Sequence, residues 1–280
     1  LPNGEPDDNV SNDTISSTIA TGVRDTFTIG GTSPDFATFT AAITFLESTG
    51  ICDTTWIMVR PGTYTERLTI PWISGASSSQ IIFRAENGDS SSVILQFDPT
   101  TTNKHVVRFN NAAGITWERM TINALGTDFG RVFQFDVNSF NNTIQHCAIN
   151  GINTSSTSNS FSCIYADNSF SDNLIRHNTI KNGSYGIQHA FSSNNKKSFE
   201  VRSNRIENFS SMGLQFPNVS GLQVHGNTII SAKNNVVGIE VAGDNDTLDI
   251  SSNKIELSSG WIGIKLDECT PAGNARANLS

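Results

Sequence analysis

The sequence predicts a right-handed parallel β-helix, a stack of similar coils that bury a core only by lying on one another. Three observations predict it. A six-residue template, apolar-x-x-Asn-x-Ile, recurs as Ile175-Arg-His-Asn178-Thr-Ile180, Val201-Arg-Ser-Asn204-Arg-Ile206, Val224-His-Gly-Asn227-Thr-Ile229 and Ile250-Ser-Ser-Asn253-Lys-Ile255, with asparagines 26, 23 and 26 residues apart. Each copy is followed by a short strand with a glycine near its start: Gly186-Ile187, Gly213-Leu214, Gly238-Ile239 and Gly263-Ile264. The composition suits β structure and turns, with 36% hydrophobic and 16% charged residues and a remainder dominated by Ser, Thr, Asn and Gly.

Strands of three to five residues with alternating faces have period 2, so each buries one side. A single coil cannot cover that side; its neighbours do, at about 4.8 Å between equivalent strands. An asparagine repeated at one corner can hydrogen-bond along the axis as amide ladders do, and it tolerates the left-handed backbone that a sharp corner needs. Ile144-Gln-His-Cys147-Ala-Ile149 is a degenerate copy with Cys147 in the Asn position, and Trp117 to Ile122 reads as another. Upstream, strands are expected at 56–59, 68–73, 81–84, 93–97 and 106–109. A leucine-rich repeat is excluded by the missing Leu-x-x-Leu-x-Leu signature, and a propeller by the short period.

The chain is read as a flexible segment over 1–25 and a single β-helix domain over 26–280, with coils from about 55 to 267. The stretch 35–47 carries Phe36, Phe39, Ala42, Ile43 and Leu46 on one helical face. With Ser33-Pro-Asp35 as its start signal, a helix over about 36–48 is expected to cap the N-terminal coil, whose raw edge would otherwise be exposed. No comparable cap follows Leu266, so the native chain is expected to continue past Ser280.

A net charge of −8 and a pI near 5.0 argue against nucleic acid, and no apolar run approaches the roughly 20 residues needed to cross a bilayer. The first residues lack the pattern of a signal peptide, so a leader is expected to have been removed already. The four cysteines (Cys52, Cys147, Cys163, Cys269) are too scattered for a disulfide framework and read as buried or unpaired thiols, Cys147–Cys163 being the one pairing to consider.

The template coils, together with Val59-Arg-Pro-Gly-Thr-Tyr-Thr-Glu-Arg-Leu-Thr-Ile70, resemble the pectate-lyase-like superfamily of right-handed β-helices. The 59–70 segment looks like the opening coil of pectin methylesterases and of secreted bacterial β-helix repeat proteins. The resemblance covers roughly residues 26–267. It implies secretion or a place on the cell surface, handling of polysaccharide by lyase or glycoside hydrolase chemistry, and calcium in the lyases. The catalytic motifs of pectin methylesterases, pectate lyases and polygalacturonases have no counterpart in the coils, so no catalytic residue carries over.

Strand phase nonetheless names outward columns. If Phe133, Phe135, Ile164, Ala166, Ile187, His189, Leu214, Phe216, Ile239, Val241, Ile264 and Leu266 point inward, one outward column reads Arg108, Gln134, Tyr165, Gln188, Gln215, Glu240, Lys265. The next reads Asn110, Asp136, Asp167, Ala190, Pro217, Ala242, Asp267. Asp136 and Asp167 then stand on adjacent coils roughly 5 Å apart, and are the candidate catalytic pair or, alternatively, calcium ligands. Arg108, Tyr165, Gln188, Glu240 and Lys265 are the candidate substrate-binding residues, in a cleft walled by loops at 153–162 and 192–197. Two solvated surface aspartates remain the plain alternative. His189 reads as a satisfied core histidine, His146 and His177 as stacked neighbours, and Arg176, Arg202 and His225 as an outward basic column. Two functions stay open: a secreted protein that binds or processes polysaccharide on this face, and a non-catalytic adhesin or structural surface module of a longer chain.

Overall fold

The computed structural model describes residues 22–136, 138–167, 171–190, 198–219, 221–243, 247–258, 260–267 and 269, with 277–279 as backbone. The expectations for 1–21, for the loop at 192–197 and for most of the tail after 267 fall outside them.

The chain is a parallel β-helix of three sheets. A ten-stranded sheet starts with Thr26–Ile29 and Thr55–Val59, and two eight-stranded sheets start at Gly62–Thr65 and Leu68–Ile70. Every sheet steps along the axis one coil at a time with parallel pairing. The strands expected upstream are present as Thr55–Val59, Leu68–Ile70, Ile81–Ala85, Val93–Phe97 and His105–Phe109.

Each apolar-x-x-Asn-x-Ile template holds two strands, one in the first sheet and one in the second. Asn173–Arg176 and Thr179–Lys181, for example, are divided at the corner. The left-handed residue there is the one before the asparagine, correcting the sequence reading: His146, His177, Ser203 and Ser252 have φ of 54–55° and Gly226 of 65°. The asparagine itself turns inward and forms the ladder. The backbone N–H of Asn178 donates to Asn204 Oδ1 at 3.0 Å, that of Asn204 to Asn227 Oδ1 at 2.9 Å, and that of Asn227 to Asn253 Oδ1 at 3.0 Å. Cys147 and Met120 take the asparagine position in earlier coils and lie buried. A second amide pair, which the sequence reading missed, occupies another corner: Asn142 N–H donates to Asn173 Oδ1 at 2.9 Å.

The inward phase is as expected, with Phe133, Ile164, Ile187, Leu214, Ile239 and Ile264 stacked coil on coil. Gly186, Gly213 and Gly238 of the third sheet pack where no side chain fits, whereas a Cβ on Gly263 would meet nothing within 4 Å. A Cβ on Gly213 would lie 2.6 Å from Gly238 O and 2.7 Å from Ile229 Cγ2. Ile264 and Leu266 follow the inward register yet stay 41% and 40% exposed, since no described coil covers them.

The helix spans Phe39–Thr49, starting later than the Ser33-Pro-Asp35 signal suggests. Thr38 is its N-cap, its hydroxyl accepting from Ala41 N–H at 3.1 Å. Asp35 instead accepts from the Thr28 N–H at 2.8 Å and closes the preceding loop. Glu66 completes the cap, taking the Phe39 and Thr40 N–H groups at 3.1 and 3.0 Å. Phe39, Ala42, Ile43 and Leu46 are buried as expected, while Phe36 joins Phe27 and Phe45 in a half-buried cluster. In the first coil the helix stands where later coils place their second- and third-sheet strands, which accounts for one of the two strands by which those sheets are shorter; the other is Ala277–Leu279, which extends the first sheet alone among the described residues.

Candidate functional site

The outer face of the third sheet carries the expected column. Register places Arg108, Gln134, Tyr165, Gln188, Gln215, Glu240 and Lys265 side by side along the axis. The flanking column holds as well, with Pro217, Ala242 and Asp267 in register and Asp136 and Asp167 following the paired Phe135 and Ala166.

These side chains are bonded to one another along the axis. In the N-terminal half, Arg108 engages Asp136 through Nε and Nη2. Gln134 Nε2 donates to the other Asp136 oxygen at 2.8 Å, and Arg131 Nη1 donates to Gln134 Oε1 at 3.1 Å. Arg131 lies 3.5 Å above the Tyr165 ring centroid, and Tyr165 is only 7% exposed. Burial raises the Tyr165 phenol above its usual range, while Arg131 acts in the opposite direction. In the C-terminal half, Ser162 Oγ donates to Gln188 Oε1 at 2.7 Å, Gln188 Nε2 to Gln215 Oε1 at 2.8 Å, and Gln215 Nε2 to Glu240 Oε2 at 2.7 Å. Lys265 closes the line on Glu240 Oε1 and Asp267 Oδ2, both at 2.9 Å, and bonding to those carboxylates holds its ammonium above the ordinary lysine range.

Arg131 and His105 escaped the sequence reading. Alternation places both in phase with the inward Phe133 and Val107. The strand bulges just after Arg131, where the Val132 and Phe133 N–H groups both donate to Cys163 O at 3.0 and 2.9 Å, and Arg131 emerges over Tyr165 on the outer face. The signal was a polar residue followed by two consecutive apolar ones, Val106-Val107 and Val132-Phe133, all four fully buried.

The loop at 153–162 runs along the axis across later coils. Lys233 Nζ donates to Thr154 O at 2.6 Å and to Asn153 Oδ1 at 3.2 Å, while Ser210 Oγ reaches Ser156 O. Arg131 Nε donates to Asn159 O at 3.3 Å, so the loop also braces the column.

His105 is buried and accepts from Arg67 Nη1 at 3.5 Å on Nε2. Burial, with Arg67, Arg108 and Arg131 around it and Asp136 opposing, lowers its pKa to about 4. His189 is the core histidine expected; its Nδ1 meets Pro217 O at 3.2 Å, and burial again lowers its pKa to about 4. Both titrate near 6.5 when unfolded. The unfolded chain therefore takes up the protons first: stability is complete above pH 6.5 and falls as pH drops towards 4. At about 1.4 kcal/mol per pKa unit, each histidine contributes roughly 3 kcal/mol over that window. Urea unfolding at steps from pH 7 to 4 is expected to show the decline, and His189→Gln to flatten part of it. A midpoint independent of pH over this range contradicts the assignment.

Among the described residues, no group of three or more His, Cys, Asp or Glu side chains could hold a metal ion. A calcium ion on Asp136 would have to displace Arg108. Cys147 and Cys163 are buried and not bonded to each other, and burial pushes both thiols up to about 12. In the basic column Arg202 and His225 share Glu200 at 3.1 and 3.4 Å, and Arg176 Nε donates to the neutral Gln145 Oε1 at 2.7 Å.

No protein-family model matches the sequence, and neither does any curated protein. Among solved structures the chain is similar to Escherichia coli YbhC, at 13% identity and a TM-score of 0.44, covering 95% of this chain and 70% of that one. It is also similar to the deglycosylated pectin methylesterase of Aspergillus niger (11%, 0.42, 88% and 87%) and to the carrot pectin methylesterase (12%, 0.45, 90% and 90%). Pectin methylesterases are among the enzymes that the 59–70 segment resembles. At such identities no residue role passes from them to this chain.

Proposed function

We propose that the protein binds a polysaccharide along the outer face of the third sheet, outside the cell, with the glycan running parallel to the solenoid axis. One observation carries the reading: a line of guanidinium, amide, phenol, carboxylate and ammonium groups from Arg108 to Lys265, one per coil at about 4.8 Å. Such a line offers donors and acceptors in register to a polymer rich in hydroxyls. Its mutual hydrogen bonds fix the side chains beforehand, which lowers the ordering cost of binding.

The charge pairing favours binding without turnover, as in a non-catalytic surface module. Asp136, one of the two candidate catalytic carboxylates, is already engaged by Arg108 and Gln134. A lyase or hydrolase reading needs it, with Asp167, to exchange a proton or meet a cation.

Titration calorimetry against a panel of neutral and uronic-acid glycans tests the proposal. Arg108→Met and Lys265→Met are expected to weaken the best ligand about tenfold or more, in line with charged hydrogen bonds of roughly 1.5–3 kcal/mol. Unchanged affinity in both variants, with the fold intact, refutes this face as the site. Product release that Asp136→Asn abolishes establishes catalysis over binding alone, and cell fractionation tests the location.

A further inference from the structure

We infer that His146 and His177 form a surface site for a borderline-soft divalent cation such as Zn²⁺, Ni²⁺ or Cu²⁺, on the corner between the first and second sheets and away from the polar column. The two residues occupy equivalent positions in adjacent coils, fixed by the pairing of Gln145 with Arg176 and of Ala148 with Thr179 on either side. Their rings lie parallel, with centroids 5.0 Å apart and planes 6° from parallel. Both side chains are exposed.

The corner holds the pair in place through its backbone. Both residues are left-handed, with φ of 54°, and their N–H groups donate to Arg176 O and Arg202 O in the following coils at 3.3 and 3.2 Å. The imidazoles therefore project from two successive steps of one rigid stack. A tetrahedral ion with metal–nitrogen bonds of about 2.1 Å needs its two nitrogens roughly 3.4 Å apart. Because imidazole lone pairs lie in the ring plane, parallel rings do not converge on one ion, so chelation turns each exposed ring out of the stack by roughly half the tetrahedral angle about its side-chain torsions, with the backbone left in place. Imidazole suits Zn²⁺, Ni²⁺ and Cu²⁺, whereas calcium takes oxygen ligands.

Two protein ligands leave the remaining positions to water. Glu118 favours the cation electrostatically, and Arg119 and Arg176 oppose it. The site is therefore of moderate affinity, and occupancy ties one coil to the next. Of the other histidines, His105 and His189 are buried and His225 pairs with Glu200.

The test is calorimetric titration of the full chain with ZnCl₂ and NiCl₂, in a Cys52→Ser background that removes the exposed thiol. Asparagine is the replacement of choice at both positions because it tolerates the left-handed corner. The expected result is one ion per chain, affinity reduced at least tenfold in His146→Asn and in His177→Asn, and no change in His225→Asn. With Cu²⁺, the electron paramagnetic resonance spectrum is expected to show coupling to two imidazole nitrogens, and saturating Zn²⁺ to raise the thermal midpoint by a few degrees. Circular dichroism matching the parent keeps a folding defect from imitating the loss. Binding that persists in the double variant, or a copper spectrum with a single imidazole, overturns the inference.

Discussion

Asn204→Leu is expected to lower the unfolding free energy by roughly 3–5 kcal/mol, read from urea denaturation, although leucine keeps the same branched heavy-atom outline. The buried Asn204 side chain accepts from the Asn178 N–H and from Asn178 Nδ2, both at 3.0 Å. It donates to Ile175 O at 2.8 Å and to Asn227 Oδ1 at 3.1 Å. Leucine would leave the Asn178 N–H without an acceptor in the core, at about 1–3 kcal/mol, and would remove the three further hydrogen bonds as well, each worth roughly 0.5–1.5 kcal/mol. Asn253→Leu is the internal comparison. Among the described residues Asn253 is the last of the ladder, half-buried, and bonds only to Val224 O and to Asn227, so a smaller loss is expected there. Equal losses at both positions would contradict a ladder strengthened by burial.

The second large effect is expected at Trp117. The indole is fully buried and stacks on Phe83 at 4.9 Å and 12°, with Phe39 of the helix stacked on it at 5.6 Å and 17°. It thereby joins the capping helix to the coils behind it. Trp117→Ala should cost about 3–5 kcal/mol, from lost burial and from the cavity left behind. Trp117→Phe should cost much less. The Trp117 Nε1 hydrogen has no partner in the core, and phenylalanine removes that polar group while keeping most of the stack. Denaturant midpoints of the two variants decide the matter: a phenylalanine variant as unstable as the alanine one would show that the N–H is satisfied after all.

Much of the architecture was legible in the residues because a solenoid repeats its decisions. Ile180, Ile206, Ile229 and Ile255 occupy one inward column, as their spacing implied. The outward column from Arg108 to Lys265 followed from alternation alone. The helix was legible from its apolar face, but its start was not. Asp35 and Thr38 are both good caps by type, and the choice was made by Thr28 and Glu66, seven and some 27 residues away in the chain.

The sequence by itself determined the coil period, the inward columns, the asparagine corner and the polar line on the third sheet. Each of these is local alternation copied at a fixed interval, so one coil reports on the next. Only the tertiary structure decided that the residue before each asparagine makes the turn, that a bulge brings Arg131 over Tyr165, and that Arg108 neutralises Asp136. Those outcomes depend on which donors compete for one carbonyl and which charges meet across coils, and that competition exists only once the coils are stacked.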